Sequence, residues 1–298
     1  MRALFYGPPA RSAVTRRALL DHATARLDAA GVDGARRAAE WMLEETTGAT
    51  RIALVSQPDA PVESSAAALF ERMVQRRLAR EPVQYVLGHA DFYGLRLTVT
   101  PSVLIPRPET EEVVEEALRR IRGQERPWVL DVGTGSGAIA LAIKHERPDA
   151  EVFAVDVSPE ALAVASGNAA RLGLAVTFIC ADALRPQFAA DVPPTFTLLV
   201  SNPPYVPASE RDGLEPEVRD HEPALALFVD DADPLQFYRA LAGHAGALLV
   251  LGGWLAVETH ADHGPAVRDL FAEAGLNGAE IRPDLAGRDR IALAQRLI

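Results

Sequence analysis

Residues 196–201 (FTLLVS) form an apolar run that stops at Asn202-Pro203-Pro204-Tyr205. Two consecutive prolines hold φ at about −65° and donate no backbone hydrogen bonds, so the carbonyls of this turn are free and fixed in direction. Such a turn can receive a planar NH2 group: Asn202 accepts one hydrogen, the Pro203 carbonyl accepts the other, and the Tyr205 ring packs on the face. This suits methyl transfer to an amide or an exocyclic amine, whose nitrogen lone pair is delocalised and poorly nucleophilic. Two oriented acceptors raise electron density on the nitrogen and aim it at an electrophilic methyl. No strong base is needed before attack, because the proton can leave once the C–N bond has formed. A rigid turn without a ligand could use the same four residues, but a glycine-rich turn upstream argues for a site.

That turn is Asp131-Val132-Gly133-Thr134-Gly135-Ser136-Gly137, between an apolar segment and a helical one. Its glycines let a ligand approach the backbone at the carboxyl edge of a sheet. Residues 135–140 also fit the dinucleotide pattern GxGxxA, so the turn alone does not choose a cofactor. Asp131 does: its carboxylate would repel a pyrophosphate and attract the ammonium and sulfonium of S-adenosylmethionine. Asp156 ends the next predicted strand, where a carboxylate can accept from both ribose hydroxyls, although it could also serve only the helix start near Ser158. Asp182, just after the strand ending at Cys180, is placed to reach an adenine amino group; a solvated loop aspartate is the alternative.

These residues need a scaffold. From Trp128 on, strand and helix alternate: strands near 128–131, 152–155, 176–180, 196–200 and 254–258, helices to 146 and 172, near 234–245 and 265–274, then two final strands. Ser158 reads as an N-cap with Pro159 at the first helical position. Alternation implies crossover connections and a mostly parallel sheet. Ahead of it, 81–110 alternates as a hairpin turning near Tyr93-Gly94, followed by a helix over 109–122 that Thr110 or a neighbour could cap. Residues 12–80 show helical spacing (Val14, Ala18, Leu19, Leu27; Ala38, Ala39, Met42, Leu43; Leu69, Phe70, Met73, Val74, Leu78) and predict a small bundle. The expected division is 1–82 helical, 83–108 hairpin linker, 109–298 catalytic.

Composition agrees. The chain has 298 residues, 48% apolar and 24% charged, enough for one large domain plus a small one. With 41 acidic against 30 basic residues the formal charge is −11, and Lys144 is the only lysine. Residues 1–80 carry 12 arginines and 9 acidic residues, a balance of +3, so the total of −11 leaves −14 for the rest. That excludes binding nucleic acid by neutralising phosphates over the whole surface, and no stable nucleic-acid complex is expected. Arg72, Arg76, Arg77 and Arg80 form a basic helix face that reads as solvated. One cysteine, Cys180, excludes an internal disulfide and reads as a buried core thiol. No apolar run is long enough to span a membrane, and residues 1–10 make no secretory signal, so a cytoplasmic protein is expected. His260 and His263 lack matching ligands, and no metal site is expected.

With residues 131–137 and Asn202 to Tyr205 in place, the chain resembles the class I S-adenosylmethionine-dependent methyltransferases that act on planar nitrogen. Four further segments narrow this: 82–88 (PVQYVLG), 104–111 (LIPRPETE), 221–228 (HEPALALF) and 284–290 (DLAGRDR). Together they are similar to the HemK/PrmC family, peptide-chain release factor N5-glutamine methyltransferases. The resemblance implies an α/β fold: a Rossmann-like seven-stranded methyltransferase domain preceded by a small helical bundle for substrate recognition and a hairpin linker. The implied cofactor is S-adenosyl-L-methionine, leaving as S-adenosyl-L-homocysteine, held by Asp131, Gly133, Thr134, Gly135, Ser136, Gly137, Asp156, Asp182, Ala183 and Asn202. Asn202, Pro203, Pro204 and Tyr205 would hold the glutamine of the Gly-Gly-Gln loop of class I release factors and carry the catalysis, walled by residues 105–109. A monomer is the default expectation.

Two departures stand out. Family members often carry an aromatic after the adenine-side aspartate, where this chain has Ala183. Residues 258–263 (ETHADH) replace a more usual Glu-Ile-Gly and read as drift in packing, away from the chemistry. An adenine-N6 methyltransferase of DNA or RNA shares the planar NH2 logic but demands a basic surface that −14 does not supply. A NAD-dependent oxidoreductase is disfavoured by Asp131, and a non-catalytic binding module by an intact Asn202.

Overall fold

The computed structural model describes residues 14–193 and 195–297; the 1–10 segment read above as no secretory signal lies outside them. Its contacts divide the chain into Met1–Leu87 and Gly88–Ile298. Among the described residues no helix is long and apolar enough to cross a membrane.

The first unit consists of helices α1 (Arg16–Ala29), α2 (Ala35–Thr47), α3 (Arg51–Ser56), α4 (Ser64–Leu78) and α5 (Val83–Leu87). Thr15 and Thr50 cap α1 and α3 by accepting the Ala18 and Ala53 N–H groups. Leu20, Ala23, Leu27, Ala39, Met42, Leu43, Phe70 and Val74 form its core. Leu20 takes the place that helical spacing gave to Leu19, while Val14 and Leu69 lie exposed. The basic face is not simply solvated. Arg76 pairs with Glu81 and donates to the Tyr85 and Val86 carbonyls, Arg77 is buried, and Arg80 donates to the Gly31 carbonyl. These guanidiniums satisfy carbonyls of the turns that follow α1 and α4 and of α5, which a helix projection does not show. Val86 packs into the same core, so the unit runs to Leu87, five residues past the expected division at 82.

The second unit opens with a hairpin, β1 (His89–Phe92) and β2 (Leu95–Thr98). It is not a free linker: Phe92, Leu95 and Leu97 are buried in the core under the main sheet. Helix α6 (Pro108–Arg120) follows, begun by Pro108 after Arg107 in the N-cap position, so Thr110 lies inside the first turn and is not the cap. Then come β3 (Trp128–Val132), α7 (Ala138–Glu146), β4 (Glu151–Asp156), α8 (Pro159–Leu172), β5 (Thr177–Cys180), α9 (Phe188–Asp191) and β6 (Phe196–Ser201). A short two-stranded pair, β7 (Val206–Pro207) with β8 (Phe228–Val229), encloses α10 (Pro216–His221) and α11 (Ala224–Leu227). The chain ends with α12 (Gln236–Leu248), β9 (Leu249–Glu258), α13 (Gly264–Glu273), β10 (Asn277–Pro283) and β11 (Asp289–Gln295).

Seven strands form one sheet in the order β10-β11-β9-β6-β3-β4-β5, with β11 antiparallel to both neighbours and the other pairings parallel. This is the mostly parallel sheet that the alternation predicts, with the seven strands that the resemblance implies. Each strand sends alternate residues to opposite faces. Val129, Leu198, Val200 and Ala256 face α6 and α7, whereas Leu130, Leu199, Leu255 and Val257 face α12 and α13. Asp131, Asn202 and Glu258 continue the first set, so one face of three neighbouring strands delivers all three to the carboxyl edge. Strand β3 lies between β4, reached through α7, and β6, so the chain order reverses there, the place where open α/β sheets bind ligands. Cys180 is exposed, contrary to the buried thiol expected, because β5 is an edge strand.

Ser158 caps α8, accepting the Ala161 N–H at 3.1 Å. Replacing it with Ala should cost about 1 kcal/mol, read as a lowered midpoint in chemical unfolding.

Candidate active site

A cavity of about 310 Å³ opens at the carboxyl ends of β3, β4 and β6. Of the residues singled out by sequence, Gly133, Thr134, Gly135, Ser136, Asp156, Asp182, Ala183, Asn202, Pro203 and Pro204 all line it. Asp131, Gly137 and Tyr205 lie behind the lining.

The turn after β3 is built on left-handed backbone, with φ of 74° at Gly133, 55° at Gly135 and 85° at Gly137. Gly137 is also the N-cap of α7, and a Cβ there would meet Leu141 Cδ1 at 3.0 Å and Ala165 Cβ at 3.3 Å. Its role is to let α7 pack. Strand alternation turns Asp131 inward beneath the turn, where it is fully buried and Oδ2 accepts from Thr134 Oγ1 at 2.6 Å and from the Ala140 N–H at 3.2 Å. Burial pushes its carboxyl up to about 7, against the two hydrogen bonds, and the nearby Asp156 charge adds to the rise. Asp131 Oδ1 is buried without a hydrogen-bond partner. The Asp131 side chain therefore lies beneath the turn and does not line the cavity.

Asp156 ties the turn to the end of β4. Its Oδ2 accepts the Gly135 N–H at 2.9 Å and its Oδ1 the Ser158 N–H at 3.0 Å. Asp156 thus serves the helix start and also lines the cavity. Burial raises its pKa, opposed by the backbone N–H groups of Ser158, Gly135 and Val157. Asp182 accepts the Leu184 N–H at 2.9 Å and lies 3.6 Å from Arg185. The Ala183 carbonyl is 3.1 Å from His244 Nε2.

At the opposite wall, Asn202 Nδ2 donates to Thr110 Oγ1 at 3.1 Å. Thr110 Oγ1 donates to Glu258 Oε2 at 2.6 Å, and the Tyr205 hydroxyl donates to Glu258 Oε1 at 3.0 Å. The Tyr205 and His260 rings are roughly perpendicular, with centroids 6.0 Å apart, and Tyr205 does not line the cavity. Burial and the Glu258 charge raise the Tyr205 pKa, which keeps it a donor.

Three residues of this wall were missed by sequence reasoning. Glu258 was read as packing drift, yet it is buried at the centre of the network. Thr110 was read as a possible cap. Glu222, within a segment noted only for resemblance, has a side chain 1% exposed that accepts the Ile105 N–H at 3.0 Å and the Arg107 guanidinium. It fixes the segment that brings Pro106 and Arg107 into the cavity wall. The one available signal was a carboxylate at the close of an apolar strand, at Glu258.

Models of two families match the chain: a PrmC N-terminal domain over residues 18–88 and a methyltransferase domain over residues 129–221. The chain is similar to a release factor glutamine methyltransferase of Deinococcus radiodurans, 43% identical over 280 residues, which are 94% of this chain and 98% of that one. It is likewise similar to a protein of the same name from Moorella thermoacetica, 43% identical over 286 residues, covering 95% and 99%. A solved methyltransferase from Pyrococcus furiosus shares the fold at 18% identity, with a TM-score of 0.50, covering 69% of this chain and 90% of that one.

Proposed function

Since the chain belongs to the release factor glutamine methyltransferase family, we propose that its cavity transfers a methyl group from S-adenosyl-L-methionine to the side-chain nitrogen (N5) of the Gly-Gly-Gln glutamine in class I peptide chain release factors. The observation that carries this reading is the orientation of Asn202: its Nδ2 donates to Thr110, which leaves Oδ1 and the Pro203 carbonyl to accept the two hydrogens of a planar amide.

The residues on the other wall suit the cofactor. A buried carboxylate with one unpartnered oxygen, Asp131, is uncompensated unless a cation comes near, and the cofactor carries an ammonium and a sulfonium. The left-handed turn leaves the Gly133-to-Ser136 backbone open to close approach, and Asp156 retains lone pairs for a ribose diol beyond its backbone donors. Asp182 and Ala183 border the space for the base. When bound, the cofactor supplies the electrophilic methyl. The chain's own residues do the rest: Asn202 and Pro203 orient the amide and withdraw its hydrogens, so nitrogen electron density rises along the line of attack. The proton lost after C–N bond formation passes to water.

In this reading the helical unit binds the release factor outside the loop, the protein works as a monomer, and it acts in the cytoplasm, where release factors function. The test is methyl transfer to a purified class I release factor, compared with its loop Gln→Ala variant and with duplex DNA, followed by peptide mass analysis. One methyl on the loop glutamine, lost in the variant, is expected. Transfer to DNA alone, or to neither, would refute the reading.

A further inference from the structure

Strand β9 lies beside β6 with Val257 paired to Ser201, so the next residue of each strand, Glu258 and Asn202, emerges at the same edge. Thr110 of α6 fills the space between them and is 4% exposed. Resting on the reading that Asn202 receives the substrate amide, we propose that Glu258, acting through Thr110, is a positioning residue that decides which end of the Asn202 side chain faces the substrate.

The direction of the chain of hydrogen bonds follows from counting hydrogens. An ionised carboxylate only accepts, and a hydroxyl has one hydrogen to give. Thr110 gives its hydrogen to Glu258 Oε2 at 2.6 Å, so its oxygen can only accept from Asn202. Asn202 must then turn Nδ2 to Thr110, at 3.1 Å, and present Oδ1 on the cavity side. Turned the other way, the amide would offer a donor to the substrate's own donors. The same carboxylate takes the Tyr205 hydroxyl on Oε1 at 3.0 Å, so both ends of Asn202-Pro203-Pro204-Tyr205 are referred to one anion. Burial raises the Glu258 pKa, opposed by the hydrogen bonds from Thr110 and Tyr205 and then by the charge of Arg290, itself held by Asp284 at 3.3 Å; the two hydroxyl donors on its two oxygens favour the ionised, accepting form.

A role confined to packing would change stability and rate without changing which ligand the site prefers. A positioning role changes the preference, because a freed amide can rotate and offer N–H to a carboxylate. The test compares Thr110→Val, which keeps shape and removes the oxygen, Thr110→Ser, which keeps the oxygen, and Glu258→Gln, which introduces a donor. Each is assayed for methylation kinetics on the release factor, for cofactor Kd, and for inhibition by a release factor carrying Glu in place of the loop Gln. For Thr110→Val, kcat should fall on the order of a hundredfold with cofactor Kd unchanged, and Thr110→Ser should recover most of the loss. The Gln→Glu release factor should compete roughly tenfold better against Thr110→Val and Glu258→Gln than against the wild type. An unchanged competition ratio in both variants, or a Thr110→Ser enzyme as slow as Thr110→Val, would overturn the inference while the wild type still methylates glutamine. A wild type that transfers nothing to glutamine would instead refute the functional reading on which it rests.

Discussion

Asn202→Ala should abolish most methyl transfer, lowering kcat about a thousandfold while changing cofactor Kd by no more than a few-fold. In the proposed function the side chain supplies one of two acceptors for the substrate amide, and losing one preorganised partner at a reacting centre typically costs about 10² to 10³ in rate. Two effects add to this. The alanine leaves the Pro203 carbonyl to hold the amide by a single hydrogen, so the nitrogen is no longer aimed. It also removes the only hydrogen bond described to Thr110 Oγ1 apart from the one that hydroxyl gives Glu258, so solvent can enter the wall. Cofactor binding is expected to survive because Asp156 and the glycine turn belong to a different wall and share no hydrogen bond with Asn202. Single-turnover transfer and calorimetric titration of the cofactor on the same preparation separate the two effects. A variant that loses cofactor affinity as strongly as rate would assign Asn202 to binding, not to chemistry.

The split between what the sequence made legible and what it did not follows the range of the interactions. Local rules were sufficient for the Ser158 cap, for the hairpin turning at Tyr93-Gly94 and for the glycine turn after β3, because each depends on residues a few positions apart. Periodicity also located the strands of the sheet, and Asn202, Asp156 and Asp182 did come together at its edge. Contacts that depend on strand order escaped. Glu258 lies 53 residues beyond Tyr205 and 148 beyond Thr110, and only the adjacency of β9 to β6 brings the three together. Glu222 reaches Ile105 across 117 residues by the same kind of closure. Tyr205 and Asp131 lie behind the cavity lining for a related reason: a residue type at the end of a strand fixes the neighbourhood, but the partner waiting there fixes the orientation. Asp131 is drawn under the turn by Thr134 and the Ala140 N–H, and Tyr205 is drawn back by Glu258.

Asp156→Ala should show the opposite kinetic signature, with cofactor affinity weakened on the order of a hundredfold and kcat at saturating cofactor much less affected. A carboxylate accepting two hydroxyls makes two charge-assisted hydrogen bonds, each worth about 1.5 to 3 kcal/mol, and part of that is offset by water entering the vacated space. The substitution also unties the Gly135 N–H, held at 2.9 Å, so the turn loses the anchor that fixes its left-handed backbone beside β4. A dependence on pH accompanies this. Burial raises the Asp156 pKa, and Asp131 beneath the turn is raised from 3.8 to about 7 by burial, with the Asp156 charge contributing. A cationic ligand that donates hydrogen bonds prefers both groups ionised, so wild-type cofactor affinity should climb as pH rises through 7, with protons released on binding. Folding stability of the free protein runs the other way. An acid whose pKa is raised in the folded state binds its proton more tightly there, so its contribution is present at low pH and is lost as pH rises from about 4 to 7. Asp156→Ala removes one of the two groups and, by removing the neighbouring charge, lowers the Asp131 pKa, so the affinity profile should flatten and shift to lower pH. A cofactor affinity that stays level between pH 6 and pH 8 in the wild type, both values chosen to straddle about 7, would show that neither carboxylate changes charge in the course of binding.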